Sequence, residues 1–120
     1  MFINLTNHPS VRWQSEQRET AEKYGEIADF PFPNIDPGLS ADEVFAMAQE
    51  TTEKIAAMRP ECVLCQGEFT FSYAVIKLLR DRGIRVVAAC SERSSAQVWQ
   101  NGQIVKTVVF NFCGFREYRD

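Results

Sequence analysis

A mostly parallel α/β sheet, flanked by helices and finished by a C-terminal antiparallel hairpin, is the fold class that this sequence predicts. Three observations predict it. Apolar runs of strand length alternate with helical periodicity from the first residues onward. Residues 62–90 read as a complete β-α-β unit, and Asn101-Gly102 stands between two strand-like runs near the end. With 120 residues, 45% of them hydrophobic and 24% charged, the chain has the make-up of one globular domain, 1–120, able to bury a core.

In order, Phe2–Leu5 reads as a short apolar strand. From about Val11 to Tyr24, the residues Trp13, Gln17, Ala21 and Tyr24 recur at helical spacing, and Gly25 follows as a natural helix stop. Glu26–Phe30 is the second strand. The proline-rich loop PFPNIDPG then forces a fresh start, supplied by the capping box Ser40-Ala41-Asp42-Glu43, with Leu39 placed to staple onto Val44. Val44, Met47, Ala48, Thr51, Ile55 and Met58 trace one helical face, and Pro60 closes it. Cys62–Cys65 is the third strand. Phe71, Ala74, Val75, Leu78 and Leu79 mark the face of a helix ending at Gly83, and Ile84–Cys90 is the fourth strand. A β-α-β crossover is right-handed and joins parallel strands, so Leu64 and Val87 belong inside a covered parallel sheet. Gln97–Gln100 and Gln103–Phe112 flank Asn101-Gly102, a pair that tolerates φ > 0 twice, and form the antiparallel hairpin.

Composition excludes several function classes. A formal net charge of −3 speaks against a binder of long nucleic acid, which presents a broad basic face, though not against one small anionic ligand in a local pocket. The start MFINLT has no basic or long apolar leader, and no apolar run reaches the roughly 20 residues that span a bilayer, so a cytoplasmic protein without membrane contact is expected. Cys62 and Cys65 have the spacing of half a zinc site. Inside a strand, however, an odd offset sends them to opposite faces, which favours buried thiols. One histidine cannot make a dedicated metal cluster, and neither phosphate-loop glycine motif is present, so no metal or cofactor is expected.

In an open α/β sheet, ligands bind at the carboxyl ends of the strands, and three polar segments are delivered there. They are Thr6-Asn7-His8 after the first strand, Gln66-Gly67-Glu68-Phe69-Thr70 after the third, and Ser91-Glu92-Arg93-Ser94-Ser95 after the fourth. Gly67 and Thr70 at a helix start suit a phosphate, and equally suit ordinary turn and capping chemistry. His8 is a candidate general base or a hydrogen-bonded structural residue. Glu68, Glu92 and Arg93 offer an acid and a phosphate clamp, or Glu92 and Arg93 a surface pair. Arg116 solvates the end of the chain or reaches the site, and the phenylalanines of 108–115 read as core or subunit contact, with base stacking as the alternative.

FINLTNHPS at the end of the first strand, QGEFTF after the third, CSER after the fourth and the closing FREY together resemble the small stand-alone CRISPR-associated proteins related to the CARF (CRISPR-associated Rossmann fold) domain. The resemblance covers most of the chain. It implies a Rossmann-like, CARF-like fold and a homodimer that binds a ring of adenylates across its two-fold axis. In several members the ring is also cleaved, switching off an antiviral response. The matching positions are Thr6, Asn7, Gly67, Thr70, Ser91 and Glu92 as ligand-binding residues, with His8, Glu68 and Arg93 as the candidate catalytic groups. A ribose 2′-hydroxyl held in line with its own neighbouring phosphorus needs positioning and charge stabilisation rather than a metal. Two other readings compete: a non-catalytic sensor or sponge for the same ligand, and an unrelated small α/β enzyme acting on a nucleotide or nucleoside with Glu68 or Glu92 as nucleophile or base.

Overall fold

Three of the four residues of β1 (Phe2–Leu5) are apolar and all four are buried, because this strand lies inside the sheet with a neighbour on either side. A computed structural model describes residues 1–120. Its elements are β1, α1 (Ser15–Glu22), β2 (Ile27–Asp29), α2 (Ala41–Ala57), β3 (Cys62–Cys65), α3 (Phe69–Asp81), β4 (Val86–Gln100) and β5 (Gln103–Glu117). They form one five-stranded sheet in the order β2-β1-β3-β4-β5, parallel throughout except for the antiparallel β4–β5 pair. This is the α/β class expected from the sequence.

Two cores cover the two faces. Ile3, Leu5, Val63 and Cys65 meet α2 and α3 through Val44, Ala48, Ile55, Phe71, Val75 and Leu79. On the other face, Phe2, Cys62, Leu64 and Val87 pack with Ala21 of α1, and Trp13, Tyr24 and Phe115 close around them. Leu64 and Val87 are interior, as expected. Cys62 and Cys65 fall on opposite faces, and burial pushes their thiols up to about 11 and about 12, which keeps both protonated at neutral pH.

α2 begins where its capping box predicts: the Ser40 hydroxyl accepts from the Glu43 amide at 3.1 Å and meets its carboxylate at 3.2 Å. Thr52 rather than Thr51 takes the buried position on its inner face. In α3 the inward stripe is Phe71, Ala74, Val75 and Leu79, with Leu78 only half buried. No helix is long and apolar enough to cross a membrane.

Two expectations are corrected. The helix read over residues 11–24 is interrupted. Ser10–Arg12 is a single 3-10 turn, Trp13 and Gln14 are extended, and α1 proper spans only Ser15–Glu22. The cause is tertiary. Trp13 packs edge-on against Phe2 with ring centres 6.1 Å apart and donates its indole N–H to the His8 carbonyl at 3.2 Å, a placement that a continuous helix would deny it.

The second correction concerns residues 91–95, expected as a polar loop. They continue β4 without a break as far as Gln100, paired residue by residue with β5, so the hairpin runs over Val86–Glu117 rather than 97–112. Asn101 and Gly102 do turn it, with φ of 52° and 75°. A bulge at Cys90/Ser91 marks where the sheet ends and a free two-stranded ribbon begins. Every residue from Ser91 to Gln100 is exposed. The projection raises the radius of gyration to 16.8 Å, against about 13.6 Å for a compact chain of this length.

Candidate functional site

β1 is the point where the chain reverses direction across the sheet: β2 lies on one side of it and β3 on the other, with α1 on one face and α3 on the other. The loops leaving β1 and β3 therefore part at their carboxyl ends and open a crevice, the usual ligand position in such sheets. A cavity of about 410 Å³ lies there. Thr6, His8, Arg12, Trp13, Gln14 and Gln17 line it from the β1 side, Gln66 from β3, and Ser91, Phe110 and Phe112 from the base of the ribbon.

A buried asparagine builds the loop that frames it. Asn4 donates to the His8 carbonyl at 2.8 Å and to Asp29 Oδ1 at 2.9 Å, and its own Oδ1 accepts from the Thr6 hydroxyl at 2.8 Å. Asp29 also accepts from the Ser10 amide and hydroxyl, at 3.2 and 3.1 Å, and the Arg18 guanidinium donates to the Ser10 carbonyl at 2.5 Å. These bonds hold residues 6–10 by their backbone and leave the exposed His8 imidazole at the cavity. Sequence reading passed over Asn4 and Asp29. The available signal was a lone amide inside an otherwise apolar strand, which needs partners when buried.

Gln14 ties the base of the ribbon to the segment that follows this loop, and Gln66 ties the β3 loop to β4. Gln14 donates to the Phe110 carbonyl and accepts from the Phe112 amide, both at 2.9 Å, so its amide completes the pairing that the edge strand lacks. Gln66 accepts from the Ala89 amide at 2.5 Å. Residues opposite one another in an antiparallel pair share a face. Ser91 opposite Phe112 and Arg93 opposite Phe110 therefore stand on the cavity side, with Arg93 one step farther out, whereas Glu92, opposite Asn111, points to the other side.

The remaining sequence candidates lie elsewhere along the same edge. Asn7 and Glu68 face a separate cleft of about 280 Å³ with Phe32, Pro33, Asn34 and Ile35. Glu68 caps α3: its carboxylate accepts from the Phe71 amide and the Thr70 hydroxyl, both at 2.7 Å. Those bonds, the Phe71 amide first, hold its carboxyl below the usual range. A carboxylate favoured in the folded state adds stability above its unfolded pKa and loses it as pH falls through the folded value. Glu68→Gln is thus expected to lower the melting temperature at neutral pH and to match wild type in acid. A deficit that persists or grows on acidification would refute the cap. Gly67 owes its identity to packing, since a Cβ there would sit 2.1 Å from the Phe32 ring, which itself stacks edge-on against Phe71 at 5.3 Å. Gly67→Ala should displace that ring and cost about 1–3 kcal/mol in a denaturant titration; an unchanged midpoint would show that Phe32 moves freely.

The decisive comparison is with family models, one of which matches residues 1–116 under the description uncharacterized protein MJ1673 family. The chain belongs to that family. No curated protein and no solved structure matches it. Chemically, the crevice offers one guanidinium, one imidazole, three side-chain amides, two hydroxyls and three aromatic rings, and no carboxylate lines it.

Proposed function

We propose that this chain binds a cyclic oligoadenylate at the carboxyl edge of its sheet and cleaves it, acting as a ring nuclease that switches off type III CRISPR antiviral signalling. The observation that carries the reading is the carboxylate-free cavity in a chain of net charge −3, with Arg12 and His8 beside Trp13, Phe110 and Phe112. Phosphate recognition calls for the first pair and adenine stacking for the rings, while the glutamine amides can read a base edge. A pocket of about 410 Å³ falls in the range of small-ligand sites. The resemblance in the FINLTNHPS, QGEFTF, CSER and FREY segments supplies the ring form of the ligand and the two-fold homodimer around it.

Cleavage on this reading is an in-line transesterification. The ribose 2′-oxygen bonds to the adjacent phosphorus, the bond from phosphorus to the 5′-oxygen breaks, and the proton of the 2′-hydroxyl ends on that leaving oxygen. Arg12, with Arg93 farther along the same face, would balance the charge that gathers on the phosphoryl oxygens. His8 would position the ribose.

A second reading, binding without cleavage, is favoured by one feature: His8 and Glu68 open onto different cavities, and the Glu68 carboxylate is engaged at the start of α3. Incubating the protein with cyclic oligoadenylates of several ring sizes in EDTA, then separating products by chromatography, distinguishes the readings. Linear fragments support the ring nuclease. Tight binding with intact rings supports the sponge, and neither binding nor turnover rejects both.

A further inference from the structure

The face of the ribbon that lines the crevice continues well beyond it. Opposite residues of an antiparallel pair share a face and alternate residues repeat it, so one row of side chains starts at Phe112 in the crevice, runs through Phe110 beside Arg93 and Lys106 beside Gln97, and ends at Trp99 near the turn. The row is about 33 Å long.

Its charges have one sign. Arg93 and Lys106 are both exposed, Arg12 stands at the foot of the row in the cavity, and no carboxylate shares this face, although the chain holds 16 acidic residues. Glu92, the one acid of the ribbon, points to the other side. The rings of the row are open, with Trp99 and Phe110 exposed by 73 and 60%. Phe110 and Phe112 are alternate residues of one strand, so they stand about 6.8 Å apart, the gap that one base fills when it stacks at about 3.4 Å from a ring on either side.

A protein partner would dock on an unbroken apolar stripe, and Lys106 with Gln97 breaks this one between Trp99 and Phe110. Cations alternating with open rings suit a strand of nucleotides, phosphate to the one and base to the other. A duplex suits it less, because its bases are already stacked inside and it carries one charge per about 1.7 Å.

We infer that this face of the ribbon binds single-stranded RNA, laid outward from the crevice to Trp99. The row has room for up to about ten stacked bases, a short strand that needs no broad basic surface and so fits a chain of net charge −3. The Gln97 amide can bond a 2′-hydroxyl, the group by which RNA is told from DNA. The inference rests on the proposed function only in placing the first nucleotide at the crevice. Trp99, opposite Ile104, lies six residues and about 20 Å beyond Phe110, out of reach of a dinucleotide held there.

Fluorescence anisotropy of end-labelled linear oligoadenylates in EDTA tests it, with circular dichroism confirming that each variant is folded. A ten-nucleotide strand is expected to bind at least about tenfold more tightly than a dinucleotide. Trp99→Ala should weaken the ten-nucleotide strand about tenfold and leave the dinucleotide unchanged. Lys106→Ala should lower the slope of log affinity against log salt by about 0.7, the share of one phosphate contact on a single strand. Val98→Ala, on the opposite face of the ribbon, should change neither. The inference is overturned by a ten-nucleotide strand that binds no better than the dinucleotide, by equal losses in Val98→Ala and Trp99→Ala, or by equal affinity for the deoxy strand or for the RNA duplex. Cyclic oligoadenylate titrated in parallel separates the two ideas. Rings bound without any affinity for the ten-nucleotide strand overturn this inference alone, whereas the strand bound without any affinity for rings supports it and overturns the ring-nuclease reading.

Discussion

Phe2→Ala is expected to lower stability by about 3–5 kcal/mol, a large share of the 5–15 kcal/mol that holds a domain together. The ring is fully buried, with Phe115, Tyr24 and Trp13 at 5.1, 5.9 and 6.1 Å between centres. Its strand sits between β2 and β3, so a void there loosens both neighbours and the indole that supports the His8 loop. Phe69→Ala removes a ring of the same size that is 89% exposed, and should change stability by no more than about 0.5 kcal/mol. A denaturant titration with an unchanged slope would show the difference as a shift in midpoint. Comparable losses in the two variants would mean that the α1-side core is not where Phe2 places it.

Arg12→Ala should weaken cyclic oligoadenylate binding by about ten- to a hundredfold, the loss of one charge-assisted contact of roughly 1.5–3 kcal/mol. Arg12 is the one guanidinium lining the cavity, and it is exposed on a 3-10 turn, so its removal leaves the fold intact. Arg93→Ala should cost less, because Arg93 stands farther out on the ribbon. His8→Ala separates positioning from proton transfer: a positioning imidazole lowers affinity and rate together, whereas a general acid–base group would take about 10²–10⁴ from the rate alone. Calorimetry and single-turnover rates on the three variants measure this. Full affinity in Arg12→Ala would place the ligand elsewhere.

How much of this was legible varies with how local the cause is. β3 was readable to the residue, because its four apolar positions are bounded by Pro60 and the polar start of the α3 turn. The Ser40 cap and the Asn101-Gly102 turn were readable for the same reason: each acts on its own neighbours within three residues. The β4 ribbon was not. Ser91, Glu92, Arg93, Ser94 and Ser95 have little strand preference, and they are extended only because β5 pairs with them from residues 108–112, a partner set by the whole hairpin. The break at Trp13 was hidden likewise, since its cause is the ring of Phe2 eleven positions earlier. Of the candidate site, Thr6, His8 and Ser91 line the crevice, while Asn7 and Glu68 face the neighbouring cleft. Gln66 belonged to the QGEFTF segment expected at this edge, whereas Gln14 and Gln17 carried no motif, so only the folded geometry brings their amides to it.

Tryptophan fluorescence tests the crevice most directly. The chain has two tryptophans, and Trp99→Phe leaves Trp13, on the cavity wall, as the sole reporter. Titration of this variant with cyclic oligoadenylate in EDTA is predicted to give a saturable change in Trp13 emission, displaced to about ten- to a hundredfold higher ligand when Arg12→Ala is added. No change in emission at ligand concentrations where calorimetry records binding would contradict a site at the ends of β1 and β3, and no binding by either method would contradict the ligand itself.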